Sequence, residues 1–185
     1  MEAKKVDIRM ISEANGDVVI ETPRLQMRRF VYADAAFFVR LLNDPEWIRY
    51  IGDRNVHNEE EARAYMAKSY IAQYEKFGFG LYLVQLKGDG APIGMCGLIK
   101  RDALDDVEIG FALLPQFRGR GYAFEAAAAT IDYARHRLNM KRVVAIATPY
   151  NAASIALLKK IGLRFDATTR LKDDAVELAV YAISL

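Results

Sequence analysis

Apolar and polar positions alternate in three runs along the middle of the chain, Phe79–Leu86, Pro92–Lys100 and Val107–Leu114. A period of two predicts strands. Lys87-Gly88-Asp89-Gly90 predicts a hairpin turn between the first two, and Arg101–Asp106 a second reversal. The pattern then widens to a helical one over the alanine-rich stretch Tyr122–Leu138. Arg142–Thr148 is a compact apolar strand stopped by Pro149-Tyr150. Asn151 opens another helix through Ile161, with Gly162 as its C-cap. Leu163–Thr169 and Val176–Ser184 close the chain as strands around the polar turn Lys172-Asp173-Asp174.

Upstream the pattern is less regular. VVIETPRLQMRRF, residues 18–30, reads as a first strand interrupted at Thr22-Pro23. Asp34 predicts the N-cap of a helix through Leu42, which Asn43-Asp44-Pro45 breaks. A short turn over Glu46–Ile51 follows. Asn58 caps a second helix, Glu59–Phe77, with an apolar side of Ala62, Tyr65, Met66, Ser69, Ala72 and Tyr74. Residues 1–17 read as an N-terminal arm with a short strand at Val6–Ile11, and residues 18–185 as one domain. The order β α α β β β α β α β β predicts an α/β fold: a mixed, mostly antiparallel central sheet with helices on both faces.

Composition removes several classes of function. A formal charge of +2 on 185 residues does not indicate a general nucleic-acid binder. Cys96 is the only cysteine, so neither an intrachain disulfide nor a cysteine zinc cluster can form. Two histidines make no metal pattern, and no metal is expected. The N-terminal stretch lacks the apolar run of a signal peptide. No segment approaches a membrane span. A cytoplasmic protein with no membrane association is expected, as a monomer or homodimer.

The chemistry concentrates at residues 105–124. The strand carrying Val107, Ile109, Phe111 and Leu113 runs into Pro115, then Gln116-Phe117-Arg118-Gly119-Arg120-Gly121, then a helix. The first N–H groups of a helix have no partner inside it and sit at the positive end of its dipole. A phosphate or pyrophosphate suits that position. The P-loop string Gly-x-x-x-x-Gly-Lys-Ser/Thr is absent, and the dinucleotide pattern Gly-x-Gly-x-x-Gly fails at Phe124.

What the loop does match is Gln-x-x-Gly-x-Gly/Ala. It resembles the coenzyme A pyrophosphate loop of the GNAT superfamily of N-acetyltransferases. Two further stretches carry the resemblance: Glu21-Thr22-Pro23-Arg24-Leu25…Arg28-Arg29-Phe30 and Asn151-Ala-Ala-Ser154-Ile155…Leu158-Lys-Lys-Ile-Gly162-Leu163-Arg-Phe165. Both are similar to segments of that superfamily's Rim-type branch, the ribosomal-protein N-terminal acetyltransferases. The resemblance covers essentially the whole chain from Glu21 onward.

The resemblance implies acetyl-CoA as co-substrate and places it. The strand here ending at Leu114 and the strand Arg142–Thr148 should splay apart, with the pantetheine arm in the gap. Backbone groups of Phe111, Ala112, Leu113 and Leu114 would hold the arm. N–H groups of Arg118, Gly119, Arg120, Gly121, Tyr122 and Ala123 would hold the pyrophosphate. Asn151 is either an N-cap alone or a cap that also reaches the coenzyme.

The resemblance also implies direct attack of the amine on the thioester. Glu108 alternates with the apolar residues of its strand and is the candidate general base, with a solvated or ion-paired glutamate as the competing reading. Ser154, on the same helix face as Asn151, is the candidate donor to the departing sulfur. Many members carry a tyrosine one turn later, where this chain has Leu158. Tyr150 and Tyr181 are fallback donors. Cys96 sits in an apolar strand and reads as structural.

The acceptor pocket is expected from Trp47 and Tyr50 in the Asn43–Asn58 connection, the start of the Phe79 strand, and the last hairpin with Glu177. Trp47 is either lining or a packing plug. Asp53, Asp173, Asp174 and Glu177 either attract a cationic amine or are simply solvated. The leading acceptor is a protein N-terminal α-amine. A small-molecule amine and a non-catalytic acyl-CoA-binding regulator are the alternatives.

Overall fold

The computed structural model describes residues 16–171 and 176–185. The expected strand at Val6–Ile11 and the turn residues Lys172, Asp173 and Asp174 lie outside them. One eight-stranded sheet runs through the molecule in the order β1-β2-β3-β4-β5-β6-β8-β7. Its strands are β1 (Val18–Glu21), β2 (Leu25–Arg28), β3 (Leu81–Leu86), β4 (Pro92–Ile99), β5 (Val107–Leu113), β6 (Arg142–Ala147), β7 (Arg164–Thr169) and β8 (Leu178–Ser184). Every neighbouring pair is antiparallel except β5 and β6, which run parallel.

Helices cover both faces. They are α1 (Ala35–Leu42), α2 (Pro45–Ile51), α3 (Glu59–Met66), α4 (Ala72–Phe77), α5 (Tyr122–His136) and α6 (Ala152–Lys160). The buried stripe of α5 (Ala126, Ala127, Ile131, Ala134) joins Leu158 of α6 and strand residues such as Ile109, Val143 and Ala145 in one core. The α1–α3 side forms the second core, around Phe30, Phe38, Leu41, Met66, Leu83 and Met95. Among the described residues, no helix is long and apolar enough to cross a membrane.

Three sequence expectations need correction. Residues 18–30 are a hairpin rather than one interrupted strand: Thr22 N–H and Leu25 O pair at 3.0 Å, and the Thr22 hydroxyl accepts from Leu25 N–H at 3.0 Å. Thr22-Pro23 therefore reverses the chain where an interruption was expected. The Glu46–Ile51 turn is helical, because the residues that end α1 also start α2: Pro45 sits at its first position and Asp44 accepts from Trp47 N–H. Asp34 stands at the N-cap position of α1, yet its side chain does not cap it. It binds Arg28 instead.

The long helix after Asn58 is continuous but carries a π turn at Ala67–Ile71 between α3 and α4. Its buried positions are Ala62, Met66, Tyr70 and Tyr74, every fourth residue. A plain α-helix would rotate that spacing off the core; the wider π turn takes up the difference. Hence Tyr70 is buried where Ser69 and Ala72 were expected.

One buried ion pair ties the hairpin to the helical layer. Arg28 grips Asp34 with both nitrogens, at 2.8 and 2.7 Å, and Val31 N–H adds a bond to Oδ2 at 2.9 Å. Both carboxylate oxygens are satisfied and both side chains are nearly inaccessible. Removing one partner leaves a buried charge alone, so Asp34→Ala is expected to lower unfolding free energy by about 3–5 kcal/mol. Urea unfolding midpoints check this, and an apolar replacement of both residues should lose less than the single change.

Candidate active site

The β5–β6 pairing covers only Val107↔Val143 and Glu108↔Val144. Beyond it the strands part. On its other edge β5 stays paired with β4 as far as Leu113, and Leu114 N–H donates to Ile93 O at 2.9 Å. By strand alternation Ala112 shares that side, while Phe111 and Leu113 turn their backbone groups to the gap. Six residues of strand, about 20 Å, separate the fork at Glu108 from Leu114.

At the far end lies the glycine loop. Gly119 and Gly121 have φ of +72° and +81°, a conformation that L side chains adopt only under strain. A Cβ on Gly119 would meet nothing within 4 Å, so the space above the loop is open. Gly121 is the N-cap of α5. Backbone N–H groups of Gly119, Arg120, Gly121, Tyr122 and Ala123 have no acceptor among the described residues. Together they form a row of donors at the positive end of a fifteen-residue helix.

Arg118 is placed differently from the expectation that its N–H joins this row. Its N–H donates to Pro115 O at 3.1 Å. Its guanidinium binds Asp44, Glu46 at 2.5 Å and the Leu113 carbonyl at 2.9 Å. It therefore braces the start of α2 against the end of β5. Arg120 is exposed and its side chain has no partner among the described residues.

A residue that sequence reasoning did not single out stands at the loop instead. Arg24, at the β1–β2 turn, donates from Nη1 to the Arg120 carbonyl at 3.1 Å and lies 4.5 Å above the Tyr122 ring. Its Nη2 is 3.3 Å from where a Cβ on Gly121 would be. Glu125 holds it in place, taking Arg24 Nε at 2.6 Å, Arg24 N–H at 2.9 Å and the Thr22 hydroxyl at 2.6 Å. The arginine is visible in the Thr-x-Arg-Leu string, but no local pattern says that it reaches a carbonyl 96 positions away.

Glu108 stands at the last pair before the fork and is only 4% exposed. Its side chain turns to the α1–α3 face, opposite Ile109. Arg101 Nε reaches its Oε2 at 2.5 Å; Oε1 has no hydrogen-bond partner among the described residues. Burial pushes the Glu108 carboxyl above its ordinary range, and Arg101 pulls it part of the way back.

Asn151 caps α6 through Oδ1, which accepts from Ser154 N–H at 3.1 Å. The cap is thus made, and it leaves the amide nitrogen free to bond elsewhere. Asn151 and Ser154 are half-buried. The Thr148 hydroxyl, at the end of β6, is buried and has no partner among the described residues. Sequence reasoning missed it because a threonine at a strand end carries no signal by itself.

The acceptor residues divide. Trp47, expected outside regular structure, lies in α2 and is only 6% exposed, packed in the second core. Its indole N–H has no partner among the described residues. Tyr50 contacts Tyr150 at 5.9 Å between ring centres, linking α2 to the start of α6. Glu177 is exposed. Asp53 is engaged with Asn55 N–H at 2.7 Å. Tyr181 is buried against Phe165. Cys96 is buried beside Thr130, and burial pushes its thiol up to about 12, far from a nucleophilic thiolate.

Comparison with known proteins identifies the family and the fold. The family model described as the acetyltransferase (GNAT) domain matches residues 24–164. An uncharacterized N-acetyltransferase of Bacillus subtilis, YnaD, is 32% identical over 145 residues, 78% of this chain and 82% of the relative. The crystal structure of an acetyltransferase from Agrobacterium tumefaciens superposes with a TM-score of 0.76 at 26% identity, over 93% of this chain and 98% of that one. RimL, a ribosomal L7/L12 α-N-protein acetyltransferase, shares the fold with a TM-score of 0.79 at 16% identity, over 94% and 97% of the two chains. RimL has also been solved in complex with coenzyme A. The chain belongs to the GNAT acetyltransferase family and is an acetyltransferase.

Proposed function

We propose that the protein transfers the acetyl group of acetyl-CoA to a primary amine by direct attack, and that the amine is a protein N-terminal α-amine. One observation carries the reading. A buried carboxylate at the β5–β6 fork and a row of unpartnered N–H groups lie at opposite ends of the same strand. The about 20 Å between them suits an extended pantetheine arm, thioester at the fork and pyrophosphate on the loop.

In this reading Gly119–Ala123 bind the pyrophosphate through backbone N–H groups, with Arg24 and Arg120 as flanking cations. Phe111 offers its backbone groups and Leu113 its N–H to the arm, and Asn151 offers its free amide nitrogen. Ala112 faces β4 and Arg118 braces the loop, so both act by shaping the site. Glu108 accepts the proton that the amine sheds as it attacks the thioester carbonyl. The Ser154 hydroxyl hydrogen-bonds the departing coenzyme sulfur. Tyr50 and the indole N–H of Trp47 border the acceptor side.

The electrostatics favour an α-amine. Glu108 is already paired with Arg101, so it has little spare charge to draw in an alkylammonium. An α-amine titrates near ~8 and is partly neutral at physiological pH, whereas a lysine-type amine titrates near ~10.4. Kinship in fold with RimL points the same way.

Two measurements test the assignment. Gly119→Ala places a methyl group in open space at positive φ, so the fold should survive at a cost of about 1–3 kcal/mol. Acetyl-CoA affinity by calorimetry should fall at least tenfold; unchanged affinity would remove the loop from the coenzyme site. Coenzyme release should be fast with short peptides bearing free N-termini and slow with polyamines and aminoglycosides. The reverse preference would move the acceptor to a small amine. Coenzyme binding without turnover on any amine would support a regulator.

A further inference from the structure

The turn that carries Arg101 is held from three sides. Gln73 of α4 clamps the Lys100 backbone both ways, donating from Nε2 to Lys100 O at 3.4 Å and accepting from Lys100 N–H at 3.2 Å. The Lys100 ammonium turns inward and caps two carbonyls of its own loop, Leu104 O at 2.5 Å and Asp105 O at 2.7 Å. The next residue is thereby aimed at the fork. Arg101 places Nε against Oε2 of Glu108.

The contrast with the other buried pair is informative. Arg28 and Asp34 satisfy both carboxylate oxygens, one of them twice. Arg101 occupies one oxygen of Glu108 and leaves Oε1 without a partner among the described residues. Oε1 is not among the fully buried unpartnered atoms of the described residues, so it keeps a small exposure although Glu108 is only 4% exposed. A pair built for stability alone would close both oxygens. This one fixes the carboxylate's rotation and keeps one oxygen open.

We propose that Arg101 is a positioning residue of acetyl transfer: it holds Glu108 by Oε2 so that Oε1 faces the fork as the acceptor of the amine proton. The proposal rests on the acetyl-transfer reading above. In the step itself, the amine nitrogen forms its bond to the thioester carbon, the nitrogen–proton bond breaks toward Oε1, and the carbon–sulfur electron pair leaves with the coenzyme thiolate. Arg101 touches none of these atoms and acts through Glu108. The other charged and titratable groups that face this pair are Arg54 from the α2–α3 connection, Tyr65 from α3 and Tyr70 from the π turn. None of them has a hydrogen bond to Glu108 among the described residues.

Arg101→Met removes the partner while keeping the apolar stem. Glu108 then stays buried with only the weaker pull of Arg54 opposing protonation, so its titration moves further up. Two readouts separate this from general damage. The first is the Glu108 carboxyl titration by carbon-13 NMR, assigned by its loss in Glu108→Gln; it needs no turnover. Its midpoint should rise by at least one pH unit in Arg101→Met and return most of the way in Arg101→Lys. The second is the ratio of variant to wild-type kcat/KM against pH, in which the amine's own titration cancels. The ratio should approach one at high pH and fall severalfold as pH drops below the variant's Glu108 midpoint. A ratio constant with pH, or an unmoved Glu108 midpoint, would overturn the positioning role. The double variant Arg101→Met/Glu108→Gln removes both charges and reports folding: if it is stable, a weak Arg101→Met is a true effect of the unpaired carboxylate. A wild-type protein that turns over no amine, despite a shifted Glu108 midpoint in the variant, would instead sink the acetyl-transfer reading.

Discussion

The parallel pairing of β5 with β6 stops after two residue pairs, and this termination organises the molecule. Antiparallel pairing continues on the outer edges of both strands, β4 against β5 and β8 against β6. The sheet therefore stays rigid while opening in its interior. An interior edge is ordinarily costly, because it exposes backbone groups that a neighbouring strand would satisfy. Here those groups become the lining of a gap. The chain connects the two edges by α5, whose N-terminus adds a second set of unpaired N–H groups at the same opening. The site is thus made largely of backbone, and side chains only have to keep the opening in shape.

Two polar clusters do that work from opposite sides. Arg118 joins Asp44 and Glu46 to the Leu113 carbonyl and so fixes α2 to the end of β5. On the β6 side, Tyr50 meets Tyr150. The short helix α2 consequently touches both banks of the gap. Arg24, Thr22 and Glu125 perform the corresponding task for the glycine loop, docking the first hairpin onto the start of α5. Exposed ion pairs contribute little to stability, but these hold loops whose glycines would otherwise sample many conformations.

Much of this was legible in the sequence, and the misses have definite causes. Strands β3 to β6 and helices α5 and α6 were readable because alternation and helical spacing are local properties. The glycine loop was readable because positive φ and a helix start leave a compositional mark. The first hairpin was misread because Thr22-Pro23 is equally compatible with interruption and reversal; pairing with β3 decides it. The π turn was invisible because it expresses a mismatch between helical period and core spacing, which exists only once Tyr70 meets Phe30 and Phe38. Arg118 was assigned to phosphate from proximity in sequence, while Asp44 and Glu46, more than seventy positions away, take up its charge. Asp34 was given to the local helix for the same reason, and Arg28 claims it.

Glu108 shows how local pattern and tertiary context combine. Alternation alone says that it points away from Ile109, and nothing more. An apolar residue would serve the sheet better at that depth, since burying a carboxylate is expensive even when it is paired. The fold nevertheless keeps a charge there and surrounds it with a clamped turn, a single arginine contact and one open oxygen. Packing does not explain that arrangement, since Val107 and Ile109 on the same strand fill space without it. The proposed reaction at the fork would account for it, because a proton acceptor must be fixed in place, shielded from bulk water and left one lone pair short of satisfaction.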